Sequence, residues 1–191
     1  MRVLLLVAHP DDETLFGFHD LYYNDTTVIC FTNDHNKIRK SDFNRVLKEL
    51  KRTYYMMAFN DSRRDGWVKR TNTDIINKDI MPIIHTNVPF DLIVSHDYYG
   101  EYGHIQHMRV NSIASDLATR LQLPFMTFDQ RYSIENEYDM QYTATRQRLL
   151  KDYTTETGPI KLHFNFEQQT AILKTLIIVS IVLGLLRFRY I

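Results

Sequence analysis

One cysteine in 191 residues, Cys30, leaves no partner for an intramolecular disulfide. A chain of that length can bury a core without such staples and fits one domain. The lone thiol agrees with a reducing, cytoplasmic compartment. It lies inside an apolar strand pattern, where it reads as a small core residue rather than a nucleophile. Net charge is missing too, since 23 Lys and Arg residues balance 23 Asp and Glu residues. With no dense basic run either, the charge pattern points to no nucleic-acid partner. Three signatures of familiar enzymes are also absent. No G-x-G-x-x-G follows the first apolar run, no G-x-x-x-x-G-K-[ST] cradles a triphosphate, and no G-x-S-x-G presents a serine nucleophile. The start, MRVLLLVAHP, carries too short an apolar stretch for a leader and runs at once into acids, so it reads as a strand.

What is present is an alternation of short apolar runs with longer amphipathic ones. RVLLLVA (2–8), TTVICFT (26–32), DLIVSH (91–96) and PFMTF (124–128) have strand length and composition. Their continuous rather than alternating hydrophobicity predicts strands covered on both faces. Residues 13–23, 41–59, 71–87 and 104–122 read as helices, with Ser41 as N-cap of the second and Pro82 interrupting or ending the third. The order β-α-β-α-α-β-α-β predicts an α/β domain of Rossmann-like type, with a mainly parallel sheet and helices on both faces. Residues 129–170 are polar and show no second-domain pattern.

The C-terminus ends in TAILKTLIIVSIVLGLLRFRYI. Residues 171–186 at about 1.5 Å each cover roughly 24 Å, short of the ~30 Å hydrocarbon core of a bilayer. Lys174 and Arg187 flank the run and could snorkel to two interfaces. Two readings stand: a buried last element, or a tail anchor giving membrane contact through residues 171–191.

In such a fold, ligands gather beyond the carboxyl ends of the strands. There the sequence places His9–Glu13, Thr32–Asp34 and His96–His107. HPDDE alone fits a plain helix start, with Pro at the first position and carboxylates at the positive dipole end. GEYGHIQH (100–107) adds His104 and His107, three apart at a helix start. Two imidazoles and a carboxylate make a usual zinc set with a position left open, and a cation offsets repulsion among Asp11, Asp12 and Glu13. The combined pattern predicts a metal site.

These residues resemble a known family. AHPDDE at 8–13, together with GHIQH at 103–107, is similar to the PIG-L/LmbE family of zinc-dependent de-N-acetylases, over roughly residues 1–155. Six residues of the first motif match without a gap. In the second, Ile105 and Gln106 replace the middle pair of the usual His-Pro-Asp-His while both histidines remain. The resemblance implies that His9, Asp12 and His107 bind zinc and that Asp11 is the general base. His104 and Tyr102 are candidates to stabilise the oxyanion. Arg39 and Asp65 are candidates to hold an N-acetylated amino-sugar conjugate, with Asp42 standing where the family's Arg-x-x-Glu has its acid. Glu13 reads as a helix-dipole or supporting carboxylate, and His96 and Asp97 lie near the rim with either role open. His19, His35, His85 and His163 show no partner pattern. The implied activity is hydrolysis of the acetamide of an N-acetylglucosamine-containing substrate. The alternatives are a non-catalytic sugar-binding or membrane-tethered protein of this fold, or a metal hydrolase of another amide. Residues 156–191 match the family poorly.

Overall fold

The computed structural model describes residues 1–62, 67, 70–87, 89–131, 139–155 and 158–159. The tail at 171–191, Asp65 and His163 lie outside them, and so do the two readings of the tail. Among the described residues, no helix is long and apolar enough to cross a membrane.

The centre of the fold is β1 (Arg2–Val7), whose residues from Val3 onward are buried completely. A strand buried this completely lies in the interior of the sheet, paired along both edges. Its partners are β2 (Asp25–Thr32), parallel from Arg2↔Asp25 to Val7↔Cys30, and β4 (Leu92–Ser95), parallel from Val3↔Leu92 to Leu6↔Ser95. With β3 (Thr53–Phe59) beyond β2 and β5 (Phe125–Thr127) beyond β4, the sheet order is β3-β2-β1-β4-β5, parallel throughout. This is the Rossmann-like α/β fold. The chain leaves β1 in one direction towards β3 and returns to the other side at β4, so the switch point lies between β1 and β4.

The helical segments follow the sheet. They are α1 (Asp12–Leu15) and α2 (Phe18–Tyr23), α3 (Lys37–Glu49), α4 (Asn72–Ile75) and α5 (Met81–His85), α6 (Gly100–Gly103) and α7 (Ile105–Leu121), then α8 (Phe128–Arg131) and α9 (Met140–Lys151). Among the described residues, a hairpin of two-residue strands, β6 (Thr154–Thr155) with β7 (Gly158–Pro159), comes last. Alternate β1 side chains face opposite ways. Leu4, Leu6 and Ala8 join Ile75, Ile80, Val110 and Ile113 in a core under α4 and α7. Leu5 faces the other side, where a Cβ on Gly17 would stand 2.9 Å from its Cδ2. Gly17 therefore lets the α1–α2 junction lie directly on the strand, and it breaks the single helix that 13–23 suggests.

The largest departure is residues 41–59, which read as one helix. The helix begins earlier, at Lys37, because the side chain of Asn36, not Ser41, accepts hydrogen bonds from the N–H groups of Ile38 and Arg39. It ends at Glu49 because Lys51 turns left-handed, at φ 55°. There its N–H reaches the Lys48 carbonyl at 3.0 Å, and the Arg52 N–H reaches that of Leu47 at 2.9 Å. The β-branched and aromatic TYYMMAF that follows suits a half-buried edge strand, and becomes β3. Residues 71–87 form α4 and α5 joined by a π turn, Ile76–Ile80, just ahead of Pro82. Proline has no N–H to give the helical ladder, and the wider turn absorbs the gap. The polar stretch after 128 contributes α9, capped by Asp139 and tied to α1 through Arg146, which donates to the carbonyls of Thr14 and Leu15.

Candidate metal centre

His9, Asp11 and Asp12 leave the carboxyl end of β1 in a tight turn. The Asp12 N–H bonds to the His9 carbonyl at 3.3 Å, and the His9 N–H bonds back to Asp12 Oδ2 at 2.8 Å. Asp11 takes the strain, with φ 126°. Glu13 holds it there. This carboxyl is fully buried and accepts from the Asp11 N–H at 3.0 Å, from the Thr14 hydroxyl at 2.7 Å and from the Tyr153 hydroxyl at 2.5 Å. Burial pushes its pKa up. Its observed role is therefore support for the turn.

Across the switch point, α6 and α7 bring the histidines. His104 occupies the N-cap position of α7, and His107 lies one turn into the helix, fully buried. The His104 ring centre stands 4.7 Å from that of His9 and 4.5 Å from that of His107. Three donor atoms then converge. His9 Nδ1 is 3.2 Å from His107 Nε2 and 3.2 Å from Asp12 Oδ2, and His107 Nε2 is 3.4 Å from the same oxygen. Ligands on tetrahedral zinc at about 2.0–2.1 Å stand about 3.3–3.4 Å from one another, so this triangle already has the size of one face of such a site.

The far side of each ring fixes which nitrogen faces inward. His9 Nε2 lies 2.6 Å from Gln106 Oε1, and the Gln106 amide in turn donates to the Asn60 carbonyl at 3.0 Å. A carbonyl oxygen only accepts, so His9 Nε2 carries a proton and Nδ1 is the nitrogen turned to the triangle. His107 Nδ1 lies 2.6 Å from Glu101 Oε2, which leaves its Nε2 lone pair facing the triangle. Two ring nitrogens and a carboxylate oxygen within 3.4 Å need something positive among them, either a proton on His9 Nδ1 or a metal ion in its place. This donor set fits a divalent cation. A second grouping, Asp12 with His96 and His107, is also compact. His96 Nε2, however, accepts the Ala8 N–H at 3.0 Å, so its lone pair is committed to the backbone.

Burial opposes charge on His9, yet its contacts with Asp12 and Asp61 outweigh burial and raise its pKa to about 10, so without a cation the ring also holds a proton on Nδ1, which a metal ion would displace. Burial also disfavours the Asp12 carboxylate, but the neighbouring His107 and His9 hold it well below the usual range. His107 is pushed down by burial, which favours the neutral ring that a metal needs. Asp11 is pushed well above the ordinary carboxylate range, by burial first and then by the charge of Asp12, with Arg39 pulling the other way.

Of the expected site residues, His9, Asp11, Asp12, His104 and His107 come together. Tyr102 stands at the mouth, 58% exposed, its ring 5.4 Å from that of His107. Arg39 reaches the site from α3, donating to the Pro10 carbonyl at 2.8 Å and lying 3.4 Å from Asp11 Oδ1. Asp42 on the same helix pairs with Arg45. Sequence reasoning passed over Asp61, whose Oδ1 is 3.2 Å from His9 Nε2 and whose Oδ2 accepts from Asn33 at 3.0 Å. Tyr153 and Glu101 were passed over as well.

Two comparisons bear on this arrangement. The family described as "PIG-L: GlcNAc-PI de-N-acetylase" matches residues 4–118. A relative in Acanthamoeba polyphaga mimivirus, named "Uncharacterized protein L374", is 27% identical over 133 residues. That similarity covers 60% of this chain and 56% of the viral protein, so the chain spans little more than half of that relative's length.

Proposed function

Because the chain belongs to the PIG-L family of GlcNAc-PI de-N-acetylases, we propose that it is a zinc-dependent hydrolase that removes the acetyl group from an N-acetylglucosamine-containing conjugate. The observation that carries this reading is the triangle of His9 Nδ1, Asp12 Oδ2 and His107 Nε2, with edges of 3.2–3.4 Å and both rings already turned inward. These three residues would hold the ion. A zinc ion so bound supplies Lewis acidity, polarising an acetamide carbonyl and lowering the pKa of water towards ~7.

The chain's own groups do the rest. Asp11 takes the proton of the attacking water and returns it to the sugar nitrogen as the C–N bond breaks, so acetate and a free amine leave. Burial and the adjacent Asp12 raise its basicity for that task. His104, whose ring centre stands 4.7 Å from that of His9 and 4.5 Å from that of His107, and Tyr102 beside it would donate to the carbonyl oxygen as it gains negative charge. Arg39 keeps the Asp11 turn in place from the Pro10 side.

The test is acetate release by the zinc-loaded full chain from a panel of N-acetylglucosamine conjugates and of acetamides that carry no sugar, beside Asp11→Asn. Release that the variant lacks supports the reading. Turnover confined to acetamides without a sugar removes the sugar assignment, and no turnover of any acetamide removes the hydrolase itself.

A further inference from the structure

We propose that Glu101 is the positioning residue that fixes the tautomer of His107, so that a lone pair and not a proton on its Nε2 faces His9 and Asp12. This rests on reading the triangle as a metal centre. Glu101 Oε2 lies 2.6 Å from His107 Nδ1 and 3.0 Å from His96 Nδ1, and Oε1 accepts the Asp97 N–H at 3.1 Å. Three N–H groups thus converge on one carboxylate, which has no proton to give back. Both rings must carry their hydrogens on Nδ1. For His96 that assignment is made a second time, because its Nε2 accepts the Ala8 N–H. The two rings stack with centres 3.9 Å apart, so one carboxylate orients both.

The backbone is bent to put it there. Glu101 sits at φ 56°, ψ −57°, a conformation that residues with a Cβ rarely adopt, between Gly100 at φ 67° and Gly103 at φ 84°. A glycine would relieve this turn, so what position 101 gains from a strained residue is its side chain. The turn is locked in return, since the Glu101 N–H donates to Asp97 Oδ1 at 3.1 Å while Asp97 donates to Glu101. Gln106 does the matching task for His9 from the other side of the site.

The proton positions can be read directly by long-range 1H–15N correlation on the 15N-labelled full chain, with and without zinc. The expected result is His107 protonated on Nδ1 and bare on Nε2 before zinc is added. Glu101→Gln then offers one acceptor oxygen to three donors. It should disturb the His107 ring shifts and weaken zinc binding, measured by chelator competition, by about 10–100-fold. A proton on His107 Nε2 in the unaltered chain overturns the proposal, and that measurement needs no variant to fold. So does a Glu101→Gln protein that binds zinc as tightly as the parent with unchanged ring shifts. A parent that takes up no zinc fails instead on the metal reading, and its ring shifts still decide whether Glu101 sets the tautomer.

Discussion

Zinc added to the metal-free protein should raise its thermal unfolding midpoint by several degrees, and His107→Ala should lose most of that rise. The donors are already assembled, with three atoms within 3.4 Å of one another and both rings held by Gln106 and Glu101, so little binding energy goes into building the site. A ligand at 100 times its Kd stabilises the folded state by about 2.7 kcal/mol. For a domain of 150–250 residues each kcal/mol moves the midpoint by about 2–4 °C, which gives a rise of roughly 5–11 °C. His107 is fully buried, so its truncation also costs packing. The informative quantity is therefore each protein's own difference with and without zinc, followed by circular dichroism or calorimetry. A rise in His107→Ala as large as in the parent would refute the assignment. So would a parent insensitive to zinc, cobalt and ferrous iron alike.

Two further predictions concern the scaffold. Asp20 on α2 is fully buried, and Arg131 on α8 donates to both its carboxylate oxygens at 2.6–3.2 Å; Arg131→Met takes away the cation paired with that charge and should cost about 2–4 kcal/mol in urea unfolding, and no change would mean the pair is not formed. Lys51 holds a left-handed conformation at the end of α3, so Lys51→Gly should add about 1 kcal/mol of stability by the same measurement, whereas a loss would place the helix end elsewhere.

The part of the site that the sequence made legible is the part that lies in short, contiguous motifs. His9, Asp11 and Asp12 follow an apolar run that could only be a buried strand, and His104 and His107 share one helix start. Sheet architecture followed equally well from four continuous apolar runs. β3 was hidden because its helix ends on Lys51 rather than on glycine, which left no stop signal before the aromatic stretch. That error concealed Asp61. Once 53–59 is a strand, Asp61 lies just beyond its carboxyl end, where this fold collects functional groups. Glu101 was in plain view within GEYGHIQH, but a glutamate at positive φ leaves no trace in sequence. Tyr153 touches Glu13 across 140 positions of chain, a contact no local pattern encodes.

The most direct test is a zinc titration of the metal-free full chain with acetate release from an N-acetylglucosamine conjugate followed at each step. Activity should rise in proportion to zinc and level off at one equivalent, with Asp11→Asn binding the same equivalent and releasing no acetate. Activity indifferent to zinc, or an Asp11→Asn protein that turns over like the parent, would contradict the proposed function.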